Sequence, residues 1–252
     1  MERWNGRVAL VTGASVGIGA AICKVLVEAG MKVVGAARGV EKIQKLSDGL
    51  KNAKGSLTAV KCDLMKEEDI HNLFKTIKEK FGGVDVCVNN AGFSYPKSLL
   101  EGTPTEWKNM MDVNVIAVCL CSKLAIQSMR ERGVDDGHIV NVSSIAGHVI
   151  LNYQDFHFYT ATKYALMAVS EGLRQEMREL KSHIRISIIC PGDVVTEFGP
   201  RMYNDKEKGN EFYTAFKCLQ AEDIARSVLH IISSPAHVEI NDIIIRPTEE
   251  SF

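Results

Sequence analysis

Arg7-Val-Ala-Leu-Val-Thr12 runs directly into Gly13-Ala-Ser15-Val16-Gly17-Ile18-Gly19, and Ala20-Ala-Ile-Cys-Lys-Val-Leu-Val-Glu-Ala29 follows. The first six residues are β-branched and apolar and read as a buried strand. The last ten have helical periodicity, with Gly30 placed to end the helix. Strand, glycine-rich turn and helix together form the context of a dinucleotide-binding loop. The glycines let backbone approach a pyrophosphate, and the helix N-terminus offers unpaired N–H groups and partial positive charge. The spacing is G-x-x-x-G-x-G rather than the more usual G-x-G-x-x-G. An ordinary tight turn would not need three glycines in seven residues.

The same alternation continues along the chain. Strand-like runs fall near residues 7–12, 32–36, 57–61, 84–89, 137–143, 184–190 and 242–246. Helical patterns lie near 17–29, 40–52, 67–80, 104–132, 158–181 and 220–233. Alternating strands and helices predict an α/β fold, a doubly wound parallel seven-stranded sheet with helices on both faces. No internal repeat, low-complexity tract or linker interrupts residues 1–252, so one domain is expected. Open sheets of this kind bind ligands at the carboxyl ends of their strands. Two more strands deliver polar groups to that edge: Val84-Asp-Val-Cys-Val-Asn89-Asn90-Ala91-Gly92 brings side-chain amides, and Gly137-His-Ile-Val-Asn-Val-Ser143-Ser144 brings hydroxyls.

Tyr159-Thr-Ala-Thr-Lys163 adds a chemical signal. Residues four apart share a helix face. A nearby ammonium favours phenolate, so a tyrosine beside a lysine can donate and accept a proton near neutrality. Tyr153 and Tyr164 lack a lysine four residues on.

Taken together, T-G-A-S-x-G-I-G, N-N-A-G, a serine ahead of Y-x-x-x-K, and Pro191-Gly192 resemble the short-chain dehydrogenase/reductase family from Gly6 to about Pro247. Within it, Met1-Glu-Arg-Trp4 and Arg246-Pro-Thr-Glu249 are similar to the member-11 and insect farnesol-dehydrogenase-like branch. The resemblance implies the strand order 3-2-1-4-5-6-7 and a catalytic set of Asn114, Ser144, Tyr159 and Lys163. Ser144 would hydrogen-bond the substrate oxygen and Tyr159 would move the proton. Lys163 would lower the tyrosine pKa and bond the nicotinamide ribose, and Asn114 would hold a water extending the relay. Ser144 fits better than Ser143 because it directly precedes Ile145-Ala146-Gly147; the interval to Tyr159 is slightly longer than the family's common one, which enlarges the loop 147–157.

The resemblance also implies a nicotinamide cofactor held by Gly13, Ser15, Val16, Gly17, Ile18 and Gly19. Asp63 would meet the adenine amino group with Leu64 beside it, and Asn90, Ala91 and Gly92 would flank the ribose. The loop from Pro191 and Gly192 through Val194 to Thr196 would hold the carboxamide or phosphates. NAD enzymes place an acid about 20 residues beyond the glycine loop to bond the ribose 2′-OH. Ala37 stands there, followed by Arg38, which can pair with a 2′-phosphate. This predicts NADP(H), with Arg38 carrying most of the discrimination because Val16 occupies the family's second basic position.

Phe93, Tyr95, Val149, Ile150 and Phe156 predict an apolar pocket also touched by Ser144. Residues 197–220 carry Met202, Tyr203, Phe212, Tyr213 and Phe216 among charges and read as a lid, with Gly199 and Gly209 permitting backbone rearrangement. Relatives imply a lipophilic alcohol or carbonyl: a steroid, another apolar ketone, or an isoprenoid such as farnesol. His148 and His157 flank the loop 147–157 and read as ordinary loop residues or substrate contacts. The rival reading is a cofactor-binding sensor that has lost turnover, against which the intact Ser144, Tyr159 and Lys163 argue.

Composition sets further bounds. The net charge is −1 and no single-sign block is present, so no nucleic-acid partner is expected. The seven cysteines are odd in number and lie mostly in apolar runs, which predicts reduced, buried thiols. Cys119 and Cys121 point apart on a helix, and the other cysteine and histidine spacings do not suggest zinc. No metal is expected, no signal peptide or membrane span is visible, and a cytoplasmic homodimer or homotetramer is the expectation.

Overall fold

The computed structural model describes residues 1–211 and 213–250; Phe212 lies outside them. The main sheet is built from β1 (Val8–Thr12), β2 (Lys32–Ala37), β3 (Ser56–Lys61), β4 (Val86–Asn89), β5 (His138–Val142), β6 (Arg185–Pro191) and β7 (Asp242–Ile245). All its strand pairs are parallel and the order is β3-β2-β1-β4-β5-β6-β7, as the family resemblance implies. Ala9 pairs with Val86, Val86 with His138, and His138 with Arg185, so the central strands start nearly level. They therefore end nearly level too, and their polar termini meet on one edge.

The helices are α1 (Gly17–Glu28), α2 (Glu41–Gly49), α3 (Glu67–Phe81), α4 (Pro104–Met111), α5 (Ala117–Glu131), α6 (His157–Glu179), α7 (Phe198–Tyr203), α8 (Lys206–Glu211) and α9 (Ala221–Ser233). Side chains alternate across a strand, and β1 shows the consequence. Ala9 and Val11 join a core with Ile22 of α1, Ile43 of α2 and Val228 of α9. Val8 and Leu10 join the opposite core with Leu73 of α3, Cys121 of α5 and Met177 of α6. Every residue of β1, β4, β5 and β6 is buried, as parallel strands covered on both faces must be.

Polar side chains cross this dry interior in a satisfied chain. The Asn89 amide donates to Ser122 Oγ (3.0 Å) and to Asn141 Oδ1 (2.8 Å). The Asn141 amide donates to Ser170 Oγ (2.9 Å), which donates to the Leu166 carbonyl (2.8 Å). β4, β5, α5 and α6 are thereby fixed to one another just below the carboxyl edge of the sheet.

All seven cysteines are free, and only Cys119 is not buried. Pro104–Glu131 is long and apolar enough to cross a membrane by length and composition, with a window of mean hydropathy 1.5. Half of that window is buried, and Cys121, Ala125, Ile126 and Met129 form part of the core beneath α3 and α6.

Candidate active site

The strand order reverses between β1 and β4, and the glycine loop sits at that switch point. Gly13 (φ +64°) and Gly17 (φ +54°) occupy the left-handed region, where a side chain is strained. A Cβ on Gly19 would lie 2.3 Å from the Gly13 carbonyl oxygen, so only glycine permits this turn. A Cβ on Gly13 would lie 2.9 Å from the Ala91 Cα, and one on Gly17 would lie 3.2 Å from Thr196. Three segments far apart in sequence thus converge. Asn90 clamps them: its amide donates to the carbonyls of Thr12 (2.9 Å) and Gly13 (3.3 Å). The Thr12 hydroxyl in return accepts the backbone N–H groups of Asn90 (3.1 Å) and Ala91 (3.2 Å). α1 opens after Val16 with no side-chain cap, which leaves its first N–H groups available to an anion. The loop, with Ser15 and Ile18 in it, therefore fits a dinucleotide pyrophosphate.

β5 delivers Ser143 and Ser144 in different directions. The Ser144 hydroxyl hydrogen-bonds the Tyr159 hydroxyl and accepts the Ala146 N–H (3.1 Å). Ser143 turns toward the Cys190 thiol. The longer interval between Ser144 and Tyr159 is taken up by short turns at Ile145–Gly147 and Gln154–Phe156.

Tyr159 and Lys163 face the same edge from the first turns of α6 and are both buried. The Tyr159 ring meets Phe156 and Phe198 edge-on, with centroids at 5.9 and 5.5 Å, and the Lys163 ammonium stands 5.3 Å from its centroid. Burial pushes the Tyr159 phenol well up, and the Ser144 hydrogen bond opposes that shift. Burial lowers Lys163 to about 8, with Cys190 acting the other way. The expected direct depression of the phenol by the ammonium is not what dominates. Lys163 Nζ instead donates to the Val142 carbonyl (3.1 Å), and desolvation moves both groups toward their neutral forms.

Asn114 lies in a π-helical turn, Asp112–Ile116, that joins α4 to α5. Its amide spans two elements. Oδ1 accepts the Phe93 N–H (3.1 Å), while Nδ2 donates to the Phe93 carbonyl (2.9 Å) and to Thr162 Oγ1 (3.1 Å). Thr162 donates in turn to the Tyr159 carbonyl (2.7 Å). Asn114 so ties the loop after β4 to the turn of α6 that carries Tyr159. Gly92 lies between them: a Cβ there would be 3.4 Å from Asn114 Oδ1 and 3.7 Å from Lys163 Nζ.

The remaining cofactor candidates ring the same edge. Arg38 is exposed just beyond β2, after half-buried Ala37. Asp63 accepts the Met65 N–H (3.2 Å), its own N–H donates to Asp69 (2.9 Å), and Leu64 packs on the core. Pro191 closes β6, and Val194–Val195 pairs with Leu219–Gln220 in a separate two-residue ladder. Thr196 caps the following turn by accepting the Phe198 N–H (3.2 Å). Glu250 reaches back to this loop, accepting the Asp193 N–H (3.3 Å) and pairing with Arg246 (2.9 Å). Burial and the Glu250 charge raise Asp193 to about 6.

The residues expected to contact substrate are unevenly placed. Phe93 and Tyr95 pack edge-to-face (5.3 Å), Phe156 touches Tyr159, and Met202 is buried in α7. Val149 is half-buried, but Ile150 is 74% exposed and points its surface to solvent. Phe198 covers Tyr159 although it was not among the expected substrate contacts; it directly follows Glu197 where α7 begins, a position with no periodic signal. Gly199 and Gly209 also differ from expectation. A Cβ on Gly199 would lie 2.4 Å from the Gly209 carbonyl oxygen, and one on Gly209 would lie 2.1 Å from Pro200 N, so these glycines let α7 and α8 touch. Tyr203 anchors the pair by donating to Asp155 (2.8 Å).

A family model for the short chain dehydrogenases matches residues 7–207. The chain is 53% identical to a dehydrogenase/reductase SDR family member 11 from Gallus gallus, over 99% of each chain. It is 44% identical to a farnesol dehydrogenase from Aedes aegypti over the full length of both. Its fold matches the closed form of a serine dehydrogenase complexed with NADP+, with TM-score 0.89, 28% identity and coverage of 97% and 96% of the two chains.

The lowered Lys163 pKa has a consequence for stability. Between about pH 8 and its ordinary 10.5, the unfolded lysine holds a proton that the folded one has lost. The unfolded state binds more protons there, so this group's contribution to stability rises with pH. Lys163→Met removes the cost of burying the ammonium and should gain most, relative to wild type, below pH 8. That relative gain should shrink as pH approaches 10. Urea unfolding of both proteins without cofactor measures it; the cysteines away from Lys163 titrate alike in both and cancel, and burial pushes the one thiol coupled to it, Cys190, well up. A pH-independent difference would show Lys163 to have an ordinary pKa.

Proposed function

Since the chain belongs to the short-chain dehydrogenase/reductase family of oxidoreductases acting on CH–OH groups, we propose that it interconverts a lipophilic alcohol and its carbonyl using NADP(H). The observation that carries this reading is the Ser144–Tyr159–Lys163 group at the carboxyl edge of the sheet, between the glycine loop and a cluster of aromatic rings. Tyr159 gives a proton to the carbonyl oxygen in reduction and takes it from the alcohol in oxidation. Ser144 holds the same oxygen and, with Tyr159, meets the charge that develops on it. Lys163, at about 8, is near enough to neutrality to restore the proton to Tyr159. Asn114 positions Lys163 and Tyr159 through Thr162 and Phe93, and its turn is where a water would extend the relay. A bound NADP(H) supplies or accepts the hydride.

NADP(H) is favoured over NAD(H) by Arg38 beside Ala37, where a carboxylate would repel a 2′-phosphate. The solved neighbour complexed with NADP+ supports the same choice. Gly13 to Gly19 would hold the pyrophosphate, Asp63 and Leu64 the adenine, Asn90 to Gly92 the ribose, and Pro191, Gly192, Val194 and Thr196 the nicotinamide end. A lipophilic substrate is favoured by Phe156 and Phe198 against Tyr159, with Phe93, Tyr95 and Met202 as further apolar candidates and α7 and α8 as its lid. The farnesol dehydrogenase from Aedes aegypti makes isoprenoid alcohols the first class to test.

Three outcomes are expected. Tyr159→Phe should cut kcat by about 10²–10⁴-fold, while NADPH affinity, followed by fluorescence titration, stays close to wild type; turnover within about tenfold of wild type would remove Tyr159 from the chemistry. Arg38→Asp should move the kcat/KM ratio for NADPH over NADH by more than about tenfold toward NADH, since a charge-assisted bond is worth about 1.5–3 kcal/mol. A smaller shift would assign phosphate recognition to another residue. Phe198→Ala should lower kcat/KM for farnesol or a steroid ketone about tenfold more than for a small ketone, because burying such a ring against substrate is worth about 1.5–3 kcal/mol. Equal losses on large and small substrates would make Phe198 a support for Tyr159 alone.

A further inference from the structure

Beside Lys163, and taking no part in the proposed proton transfer, three side chains from distant parts of the chain meet. His148 follows the short turn after β5, Cys190 lies in β6, and Asp242 opens β7. His148 Nε2 is 3.0 Å from Asp242 Oδ2 and 3.3 Å from Cys190 Sγ, and Cys190 Sγ is 3.4 Å from Asp242 Oδ1. We infer that His148, Cys190 and Asp242 form a binding site for a single thiophilic divalent cation of the zinc class.

The spacing supports this. Zinc holds nitrogen and oxygen at about 2.0–2.2 Å and sulfur at about 2.3 Å, so neighbouring ligand atoms on a tetrahedron are about 3.3–3.6 Å apart. The imidazole nitrogen and the sulfur are 3.3 Å apart, and Asp242 turns one oxygen to each of them, at 3.0 and 3.4 Å. With one oxygen taken from the carboxylate, the three ligand atoms lie within 4.8 Å of one another, so a turn of the carboxylate and a small outward movement bring them onto one face of that tetrahedron. The donor set also selects the ion: a thiolate and an imidazole suit zinc and are poor partners for magnesium or calcium. The Met167 sulfur is 3.8 Å from Cys190 Sγ and adds to the soft surroundings.

Two further features suit a bound ion. The Ser143 hydroxyl is buried, faces Cys190, and finds no well-directed hydrogen bond among the described residues. A buried hydroxyl without a partner is costly, and a cation or its water beside Cys190 would satisfy it. Access is open on the other side, where the His148 and Asp242 side chains retain 26% and 33% of their exposure. On binding, the Cys190 thiol gives its proton to solvent and the sulfur becomes a thiolate ligand. Neutral His148 contributes its ring-nitrogen lone pair and Asp242 a carboxylate oxygen. The ion would pin the start of the 148–157 loop to the last strand. That loop is already held where Tyr164 donates to the His148 carbonyl (2.8 Å).

The test uses the whole protein, stripped with a chelator and without cofactor, so its result is independent of the oxidoreductase reading. Zinc chloride is titrated by calorimetry, and cobalt(II) is followed by its thiolate charge-transfer absorption. One equivalent of zinc and the cobalt–thiolate band are expected in wild type. Cys190→Ser should abolish that band and weaken zinc at least about tenfold, with His148→Gln and Asp242→Asn weakening it similarly. Cys119→Ser, at a half-exposed thiol on α5, should leave both readings unchanged. If Cys190→Ser does not fold, Asp242→Asn, which retains the thiol, decides the matter. Absence of stoichiometric binding in wild type, or equal zinc affinity in Asp242→Asn and wild type, would overturn the site.

Discussion

Four apolar strands ending side by side leave polar groups where water has little access, and much of this protein's carboxyl edge answers that constraint. Backbone N–H and C=O groups that leave the sheet ladder inside a core must find other partners. Here side chains at the strand ends supply them. Thr12 and Asn90 exchange bonds across the β1–β4 junction. One strand turn lower, Asn89 and Asn141 link β4 and β5 to the serines of α5 and α6. A chain of this kind is worth most when every member is satisfied, since a single missing partner strands a polar atom in low dielectric. It therefore fixes the relative height of strands and helices more sharply than apolar packing alone, and the reacting groups inherit that precision.

Asn114 extends the same logic to the proposed catalytic helix. A π-helical turn interrupts the long helix at Asp112–Ile116, and such turns often mark functional sites because they carry one residue more than the α-helical register allows. The amide presented there bonds both backbone groups of Phe93 and the hydroxyl of Thr162. The loop after β4 and the helix that carries Tyr159 and Lys163 are thus held by one side chain. Removing that amide would disturb the pocket wall and the phase of α6 together.

The parts legible in sequence were those with a local physical signature. The strands and the glycine loop follow from period and composition, and the reversal at β1 and β4 from the family resemblance. The choice of Ser144 over Ser143 rested on its neighbours Ile145-Ala146-Gly147, and its hydroxyl is the one beside Tyr159. What could not be read depends on distant segments meeting. Phe198 lies over Tyr159 only because the loop after β6 folds back across the edge. Gly199 and Gly209 looked like hinges, but their role is close contact, which a glycine in sequence does not distinguish from freedom. His148, Cys190 and Asp242 have no ligand-like spacing in the chain, because three parallel strands, not one helix or hairpin, bring them together.

The electrostatics of Tyr159 and Lys163 follow from the same dry edge. A phenol and an ammonium side by side suggest an ion pair that stabilises phenolate. Burial instead acts on both, raising the acid and lowering the base, so that the neutral forms of the two groups are favoured. In low dielectric a charge that develops nearby interacts more strongly than it would in water. Ser144 already lowers the phenol by hydrogen bonding it, and a carbonyl oxygen gaining negative charge would draw on the same two hydroxyls. The favourable interaction is then greatest when the oxygen is most charged, which is the condition for lowering a barrier rather than merely binding a ground state. A more exposed tyrosine would be easier to ionise and would lose that advantage to solvent.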